Sequence, residues 1–322
     1  MRAARVRAYG GPEVIEIVEM PDPQPGPGQI AVKVIASTLS AADLRIRAGR
    51  FPPGLGLLAR LALGWNRPRH AVLGHDLCGR VIACGPGVTR FAPGDEVVAM
   101  TGLRAGAHAE ICVLQAEGAV IPRPTQLSPA EAAALGFGGT TALHFLRDRA
   151  QLQVGEQLLV MGAAGAVGSA AVQIGRALGA EVTGLVRRHQ AEIMARLETG
   201  MLEAEGFDAR APGRQWDVIL DTTGTATLRN MAAALAPDGR LAALAAGLPD
   251  MLSGLGNPLR RRKILTGPAP ERRSDLAELA RLAAEGRFRP VVDTAIPFHR
   301  IHEAHAFAEA GRKRGNLVIG FL

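Results

Sequence analysis

Residues Met161 to Arg176 read M-G-A-A-G-A-V-G-S-A-A-V-Q-I-G-R, with Gly162, Gly165 and Gly168 spaced three apart. Glycine at such positions lets the backbone approach a phosphate with no side chain in the way. The free N–H groups that open the following helix then meet its negative charge. The chemistry this suggests is the holding of a pyrophosphate by the backbone of Gly162, Ala163, Ala164, Gly165, Ala166, Val167 and Gly168. A tight strand-to-helix turn without a ligand would use the same glycines. Further on, Leu185-Val186-Arg187-Arg188-His189 offers two arginines, with no acid between Val182 and Ala191. Sites for NAD usually put Asp or Glu at this point to accept from the ribose 2′-OH, whereas sites for NADP put a cation against the 2′-phosphate. Arg187 and Arg188 therefore point to NADPH, the alternative being a solvated arginine pair at a strand end.

These residues need a strand on each side of a helix. Gln157 to Met161 is an apolar run of buried-strand type, Ala170 to Leu178 continues at helical period, and Glu181 to Val186 is a second apolar run, which together spell a βαβ unit. Beyond it the pattern predicts a helix over His189 to Leu197, a strand over Asp217 to Asp221, a helix over Ala226 to Leu235 and a strand over Arg240 to Ala245. Alternation of this kind implies a doubly wound parallel sheet of α/β class. The stretch Thr199 to Gly213 reads as irregular. Earlier, short runs such as Ile30 to Ile35, Arg80 to Ala83 and Glu96 to Met100, broken by Pro and Gly, predict an irregular, mostly antiparallel β domain. Ser128-Pro129-Ala130-Glu131 is a capping box with proline at the first helical position. Amphipathic helices follow at Ser274 to Glu285 and Ile301 to Ala310, and a last strand at Asn316 to Leu322 is expected to return to the first domain. The domain boundaries expected are 1–124, 125–265 for the nucleotide domain, and 266–322 for the return.

With 322 residues, 48% of them hydrophobic, the chain can bury a large core. Its formal charge of +7 is spread along the sequence, and aromatics at 4% are too sparse for a base-stacking platform, so nucleic acid is an unfavoured partner. The densest basic run, Arg260-Arg261-Arg262-Lys263, reads as a solvated loop. Three cysteines without a C-x-x-C pair speak against a disulfide scaffold and fit a reducing cytoplasm. No signal peptide is read at the N-terminus. The apolar stretch Leu158 to Leu178 is interrupted by glycines, so no membrane span is expected.

Several motifs in order resemble the medium-chain dehydrogenase/reductase superfamily and, within it, the zinc-free quinone oxidoreductases. They are Tyr9-Gly-Gly-Pro-Glu-Val14, Arg90-Phe-Ala-Pro-Gly-Asp-Glu-Val97, Glu131-Ala-Ala-Ala-Leu135, Thr140-Thr-Ala-Leu143 and the glycine loop with Ser169 to Gln173. The likeness spans essentially the whole chain. It implies a GroES-like catalytic domain split in sequence, a Rossmann domain inserted in it, an active cleft between the two and a homodimer. It also implies cofactor contacts from Thr141, from Thr222-Thr223-Gly224 and from Ala246-Gly247.

Gly74-His75-Asp76-Leu77-Cys78-Gly79 resembles the G-H-E motif of the zinc alcohol dehydrogenases. By that likeness Ser40 takes the place of the first cysteine ligand, three residues before Asp43, and the second would fall near Phe137. A catalytic zinc needs three protein ligands, so none is expected, and His75 reads as a remnant or a polar pocket residue. The resemblance also puts Ser40 where relatives often carry an asparagine near the nicotinamide. Ser40 could donate to a substrate carbonyl or simply satisfy local backbone, and Asp43 reads as a cap of the helix Leu44 to Ala48 in preference to a base. The lone tyrosine, Tyr9, is expected in an early strand. Without a Lewis acid or a ready proton donor, hydride transfer to an acceptor that leaves a delocalised phenolate or enolate is favoured, because a phenolate of pKa about 10 can take its proton from water. The expected activity is NADPH-dependent, zinc-independent reduction of a small hydrophobic quinone or α,β-unsaturated carbonyl, with Ser40, His75 and Thr141 as catalytic candidates. The alternatives are a trans-acting enoyl reductase on acyl thioesters, suggested by the apolar segment Phe51 to Trp65, and a non-catalytic NADPH- or nucleic-acid-binding protein.

Overall fold

The computed structural model describes residues 1–211, 213, 215–311 and 313–321. It divides into two compact units: Met1–Phe51, Leu57–Thr140 and Glu271–Leu322 form the first, and Pro52–Gly56 with Thr141–Pro270 the second.

In chain order the first unit begins with β1 (Arg2–Val6), β2 (Ile15–Glu19), β3 (Gln29–Leu39), α1 (Ala41–Ala48), α2 (Gly56–Leu63, in this unit from Leu57), β4 (Asp76–Cys84), β5 (Glu96–Met100), β6 (Ile111–Gln115), β7 (Val120–Pro122), α3 (Pro129–Ala133) and α4 (Gly136–Leu143), which runs across the division at Thr140. The second unit carries β8 (Gln157–Met161), α5 (Ala166–Ala177), β9 (Glu181–Val186), α6 (Ala191–Arg196), β10 (Gly200–Glu203), β11 (Trp216–Asp221), α7 (Leu228–Met231), β12 (Leu235–Ala243), α8 (Leu248–Gly254) and β13 (Lys263–Leu265). The chain then returns to the first unit with α9 (Arg273–Ala284), β14 (Val292–Pro297), α10 (Ile301–Glu309) and β15 (Asn316–Gly320).

The first unit is built on a seven-stranded sheet in the order β14-β15-β3-β4-β5-β7 with β6 beside β3. Its long strand β3 pairs with β6 through Gln29 to Lys33 and with β15 through Ala36 to Leu39. All its pairs are antiparallel except β14 with β15. Ile30, Val32, Leu77, Val81, Val97 and Val120 fill the core on one side, and Val6, Leu39, Ile301, Leu317 and Ile319 join a second cluster. The segment 125–140, read above as the start of the nucleotide domain, packs α3 against β3 and β4 of the first unit. Ser128 caps α3 as expected, accepting from the Glu131 N–H while Glu131 accepts from the Ser128 N–H and hydroxyl.

The second unit is a six-stranded sheet in the order β10-β9-β8-β11-β12-β13, parallel throughout. Its central strands β8 and β11 are buried on both faces, as strands covered by helices must be, and Leu159, Leu185, Ile219, Leu241 and Ile264 lie in one cluster. Two sequence expectations change here. The stretch Thr199 to Gly213 contains strand β10, paired with β9 from Gly200 to Glu203. The helix expected over Ala226 to Leu235 shrinks to Leu228–Met231, because Leu235 is drawn into the sheet opposite Trp216. Tyr9 lies in a bend between β1 and β2 rather than in a strand, and its hydroxyl donates to the Gly64 carbonyl at 2.6 Å. Among the described residues no helix is long and apolar enough to cross a membrane.

Candidate active site

The glycine loop follows β8. Gly162 takes φ +74°, a left-handed conformation that favours glycine, and its N–H donates to the Leu185 carbonyl at 3.0 Å, fixing the loop to β9. A Cβ on Gly168 would lie 2.1 Å from the Gly162 carbonyl oxygen and 2.7 Å from Ala163 Cα, so only glycine lets α5 start so close to the loop. Gly165 is the N-cap of α5 and has no side chain to cap it; a Cβ there would meet only the Gly162 carbonyl oxygen, at 3.4 Å. The N–H groups of Ala166, Val167 and Gly168 open this twelve-residue helix and have no partner within it, which is the arrangement that receives an anion.

Around the loop, Asp221 closes β11 and is fully buried. Its carboxylate accepts from the Thr223 N–H and hydroxyl at 2.8 and 2.6 Å, from the Gly224 N–H at 3.2 Å and from the Ala226 N–H at 2.8 Å. The Thr223 hydroxyl is thereby committed to holding the loop, and Thr222 donates its hydroxyl to the Met161 carbonyl at 2.9 Å. Ala246 and Gly247 follow β12. The Gly247 N–H donates to Asp250 at 3.2 Å and the Leu248 N–H to the Pro53 carbonyl at 2.8 Å. Thr141 is half-buried on α4.

The two arginines after β9 differ in their surroundings. Both are exposed; the Arg187 carbonyl accepts from the Gln190 N–H at 2.8 Å but its guanidinium has no hydrogen bond or ion pair among the described residues, whereas Arg188 donates from Nε and Nη2 to Glu203, at 3.2 and 3.0 Å, and from its backbone N–H to Glu205 at 3.1 Å. The sequence from Val182 to Ala191 has no acid, but β10 and the turn after it bring Glu203 and Glu205 to the same place. That neighbourhood was not legible locally, since it depends on the pairing of β10 with β9.

The first unit gathers a polar cluster at the start of α1. Ser40 is its N-cap: Oγ accepts from the Asp43 N–H at 3.2 Å and donates to Asp43 Oδ2 at 2.6 Å, while the Ser40 N–H donates to the same oxygen at 2.8 Å. The single hydroxyl proton of Ser40 is spent on Asp43, so the serine does not offer it to a substrate carbonyl, as one of the two sequence readings had it. Asp43 is fully buried and does more than cap: Oδ1 accepts from the Gly74 N–H at 2.9 Å and pairs with His75 Nδ1 at 2.8 Å. Burial would raise the Asp43 carboxyl, but His75 and the hydrogen bonds outweigh it and hold the group far below the usual carboxylate range. Burial likewise depresses His75; the charge and hydrogen bond of Asp43 reverse this and push it up to about 9, with Asp76 and Glu271 adding in the same direction.

Asp76 is buried beside this pair. Oδ2 accepts from the Thr38 hydroxyl at 2.9 Å and the Phe137 N–H at 3.1 Å, while Oδ1 has no hydrogen-bond partner. Burial pushes its carboxyl up to about 7 against the pull of those two donors. His108 is fully buried, and burial lowers it, so it is neutral and donates from Nε2 to the Thr38 carbonyl at 3.0 Å. Burial pushes the Cys78 and Cys112 thiols up to about 12, which removes both as nucleophiles at neutral pH.

Comparison with known proteins matches residues 26–156 to the alcohol dehydrogenase GroES-like domain and residues 193–319 to the zinc-binding dehydrogenase family. A quinone oxidoreductase of Pseudomonas aeruginosa is 31% identical over 97% of both chains. An acryloyl-coenzyme A reductase of Metallosphaera sedula is 26% identical over 99% of both. The solved quinone oxidoreductase of Coxiella burnetii has the same fold, with a TM-score of 0.88 at 24% identity over 100% of this chain and 99% of that one.

The zinc that one family name carries does not fit the donors present. Ser40 stands where a thiolate would be needed and is bound to Asp43, and Phe137 contributes only a backbone N–H, which leaves His75 alone of the three donors a catalytic zinc requires. Among the described residues no group of three or more His, Cys, Asp or Glu side chains is arranged to hold a metal ion. The glycine loop and the free helix start do fit a dinucleotide, and this family works with nicotinamide cofactors. The chain thus belongs to the medium-chain dehydrogenase/reductase superfamily, in its quinone oxidoreductase-like branch, and is an oxidoreductase.

Proposed function

We propose that the chain uses NADPH to reduce a quinone or an α,β-unsaturated carbonyl without zinc. The observation that carries this reading is the Arg187 guanidinium at the end of β9, unpartnered among the described residues, beside a helix start whose N–H groups are free. When bound, the cofactor supplies hydride. The backbone of Gly162, Ala163, Ala164, Gly165, Ala166, Val167 and Gly168 would hold its pyrophosphate, Arg187 and Arg188 its 2′-phosphate, and Thr141, Thr223, Gly224, Ala246 and Gly247 would border it. Asp221 keeps the Thr223–Gly224 turn in shape through its four hydrogen bonds.

The acceptor follows from the electrostatics. A simple ketone leaves a strongly basic alkoxide that calls for a Lewis acid, and the residues present do not assemble one. A quinone or enone leaves a delocalised anion that needs far less. Reduction of quinones by the Pseudomonas relative is in line with this acceptor class. A second reading, reduction of an enoyl thioester, is favoured by the acryloyl-coenzyme A reductase likeness and by the exposed apolar side chains of α2 and the turn after it, where Leu57, Leu58, Leu61 and Trp65 are each more than half exposed.

Nucleic acid is not the partner in this reading. In the densest basic run Arg261 pairs with Asp238, Arg260 bonds to Ser253 and Arg262 to the Leu235 carbonyl, which leaves no open basic stripe there. The reading includes a homodimer formed through an edge strand of the parallel sheet and a reducing, cytoplasmic setting for the free thiols. The test is NADPH and NADH oxidation scanned over quinones, enones, enoyl thioesters and aldehydes. Turnover with quinones or enones supports the first reading, turnover with thioesters alone the second, and turnover with aldehydes alone overturns both.

A further inference from the structure

We propose that the groove between α7 and α8 is a second anion site, apart from the glycine loop, which binds the clustered phosphate groups of a ligand. Every residue that lines it belongs to the second unit, and the inference does not depend on the hydride-transfer reading.

The loop between α8 and β13 supplies three of the cations. Asn257 ties that loop at its base: Nδ2 donates to the Ile264 carbonyl at 2.7 Å and Oδ1 accepts from the Ile264 N–H at 2.9 Å, so Arg260, Arg261 and Arg262 stand between two fixed points. Arg262 donates from Nε to the Leu235 and Ala236 carbonyls, both at 3.2 Å, and from Nη2 to Leu235 at 3.0 Å. Arg260 donates from Nη1 to the Ser253 carbonyl and hydroxyl, at 3.1 and 2.9 Å, and a Cβ on Gly256 would lie 3.2 Å from its Cζ, so the glycine leaves room for this guanidinium. All these acceptors are neutral. They position the two guanidinia without cancelling their charge, and they leave Nη1 of Arg262 and Nε and Nη2 of Arg260 without a partner among the described residues. From α7 comes Arg229, exposed, whose guanidinium has no hydrogen bond or ion pair among the described residues.

The four arginines line one groove with Thr227, Ser253 and Asp250. Two carboxylates oppose them: Asp238 pairs with Arg261 at 3.1 Å, and Asp250 accepts from the Gly247 N–H at 3.2 Å. Four guanidinia against two carboxylates leave a net charge of +2, and the Arg261 pair is exposed, so it exchanges for a ligand at little cost. Phosphate suits this arrangement best. A guanidinium is a planar fork that meets phosphate oxygens two at a time, and four forks converging on one place exceed what a single carboxylate can use. The groove measures about 760 Å³, within the range of roughly 300–1,000 Å³ typical of small-molecule sites, so its ligand carries the phosphates on a larger body. A nucleic acid strand would need cations laid along a track, and these are gathered in one spot. The same phosphates could come from the handle of a thioester such as coenzyme A or from a free pyrophosphate.

Calorimetric titration of the full chain with inorganic pyrophosphate, coenzyme A and NADPH tests the site. Arg229→Ala combined with Arg260→Ala is expected to lose at least about tenfold in pyrophosphate affinity while the Kd for NADPH stays within about twofold. Both side chains are exposed, so the variant should fold, which its melting curve checks. Lysine at the same two positions should recover part of the loss, because it restores the charge without the fork. Coenzyme A bound more tightly than pyrophosphate, and lost in the same variant, marks a thioester handle as the source; equal affinities mark a free phosphate anion. Unchanged pyrophosphate affinity in the double variant, or no binding of pyrophosphate and coenzyme A to the wild type at millimolar concentration, overturns the site. Equal losses for pyrophosphate and NADPH would make the groove part of the cofactor site and overturn its being a second one. If the wild type reduces no acceptor, the hydride-transfer reading falls and this one stands.

Discussion

Arg188 and Glu203 are joined across two parallel strands, the guanidinium at the end of β9 donating to one carboxylate oxygen at the end of β10 at 3.2 and 3.0 Å. The Arg187 guanidinium beside it is unpaired among the described residues. One arginine is thus free to meet a 2′-phosphate, and the second must first exchange its partner. The pair is exposed, so the exchange costs little in water. Replacing both arginines by Glu should weaken NADPH binding by roughly tenfold to a hundredfold and NADH binding by less than about threefold. Glu203→Gln should do the reverse on a smaller scale, tightening NADPH by about two- to fivefold. Fluorescence titrations of both nucleotides decide it, and equal losses for the two in the double variant would remove the 2′-phosphate assignment.

Gly168→Ala puts a methyl where the Gly162 carbonyl oxygen lies 2.1 Å away, and that neighbour is backbone, which cannot swing aside. The start of α5 must shift. We expect a loss of about 2–3 kcal/mol in stability by urea unfolding and no measurable nucleotide binding. Retained binding at wild-type affinity would show that the loop is not the pyrophosphate site.

Ser40→Ala removes an N-cap and one of the donors to Asp43. Stability should fall by about 1–2 kcal/mol in urea unfolding. An alanine variant as stable as the wild type would show that the Ser40 cap holds nothing in place.

Asp76 should leave a signature in stability against pH. Its folded-state carboxyl is raised to about 7 from an ordinary value near 4, so the unfolded chain ionises first as pH rises. The native state is therefore favoured by this group below about pH 4, loses that advantage between about 4 and 7, and carries the full burial penalty above 7. Asp76→Asn should melt with the wild type at pH 4 and be more stable at pH 8, by roughly 1–4 kcal/mol. A variant destabilised equally at both pH values would contradict this.

Dialysis against a chelator should leave turnover and melting temperature unchanged, and metal analysis of the purified protein should give far less than one zinc per chain. Stoichiometric zinc would mean that Ser40 and His75 rearrange to ligate it.

Much of this architecture was legible because its signals are local. The glycine spacing, the Ser128–Glu131 box and the apolar strands β8 and β9 each act within a few residues of chain, and they form as read. What was not legible depends on distant partners. Strand β10 has only four residues and becomes a strand by pairing with β9, and it is this pairing that brings Glu203 to Arg188. The alanine-rich run after Leu228 favours a helix by propensity, yet Leu235 is pulled into the sheet opposite Trp216. Asp43 was read as a cap, which it is, but its bond to His75 spans 32 residues and appears only once β3, α1 and the start of β4 are assembled. The glycine of Gly74-His75 was a hint, since its N–H is one of the donors that lock the carboxylate.

Strand β15 sits between β14 and β3, and its residues are among the last of the chain. During synthesis the larger sheet therefore stays open along the edge of β3 until residue 320 has emerged, while β8 to β13 all lie within Thr141–Pro270 and can assemble earlier. The nascent protein must carry Ala36 to Leu39 unpaired on that side until β15 is made, and a ribosome stalled before Asn316 holds a chain whose nucleotide fold is complete and whose larger sheet is not.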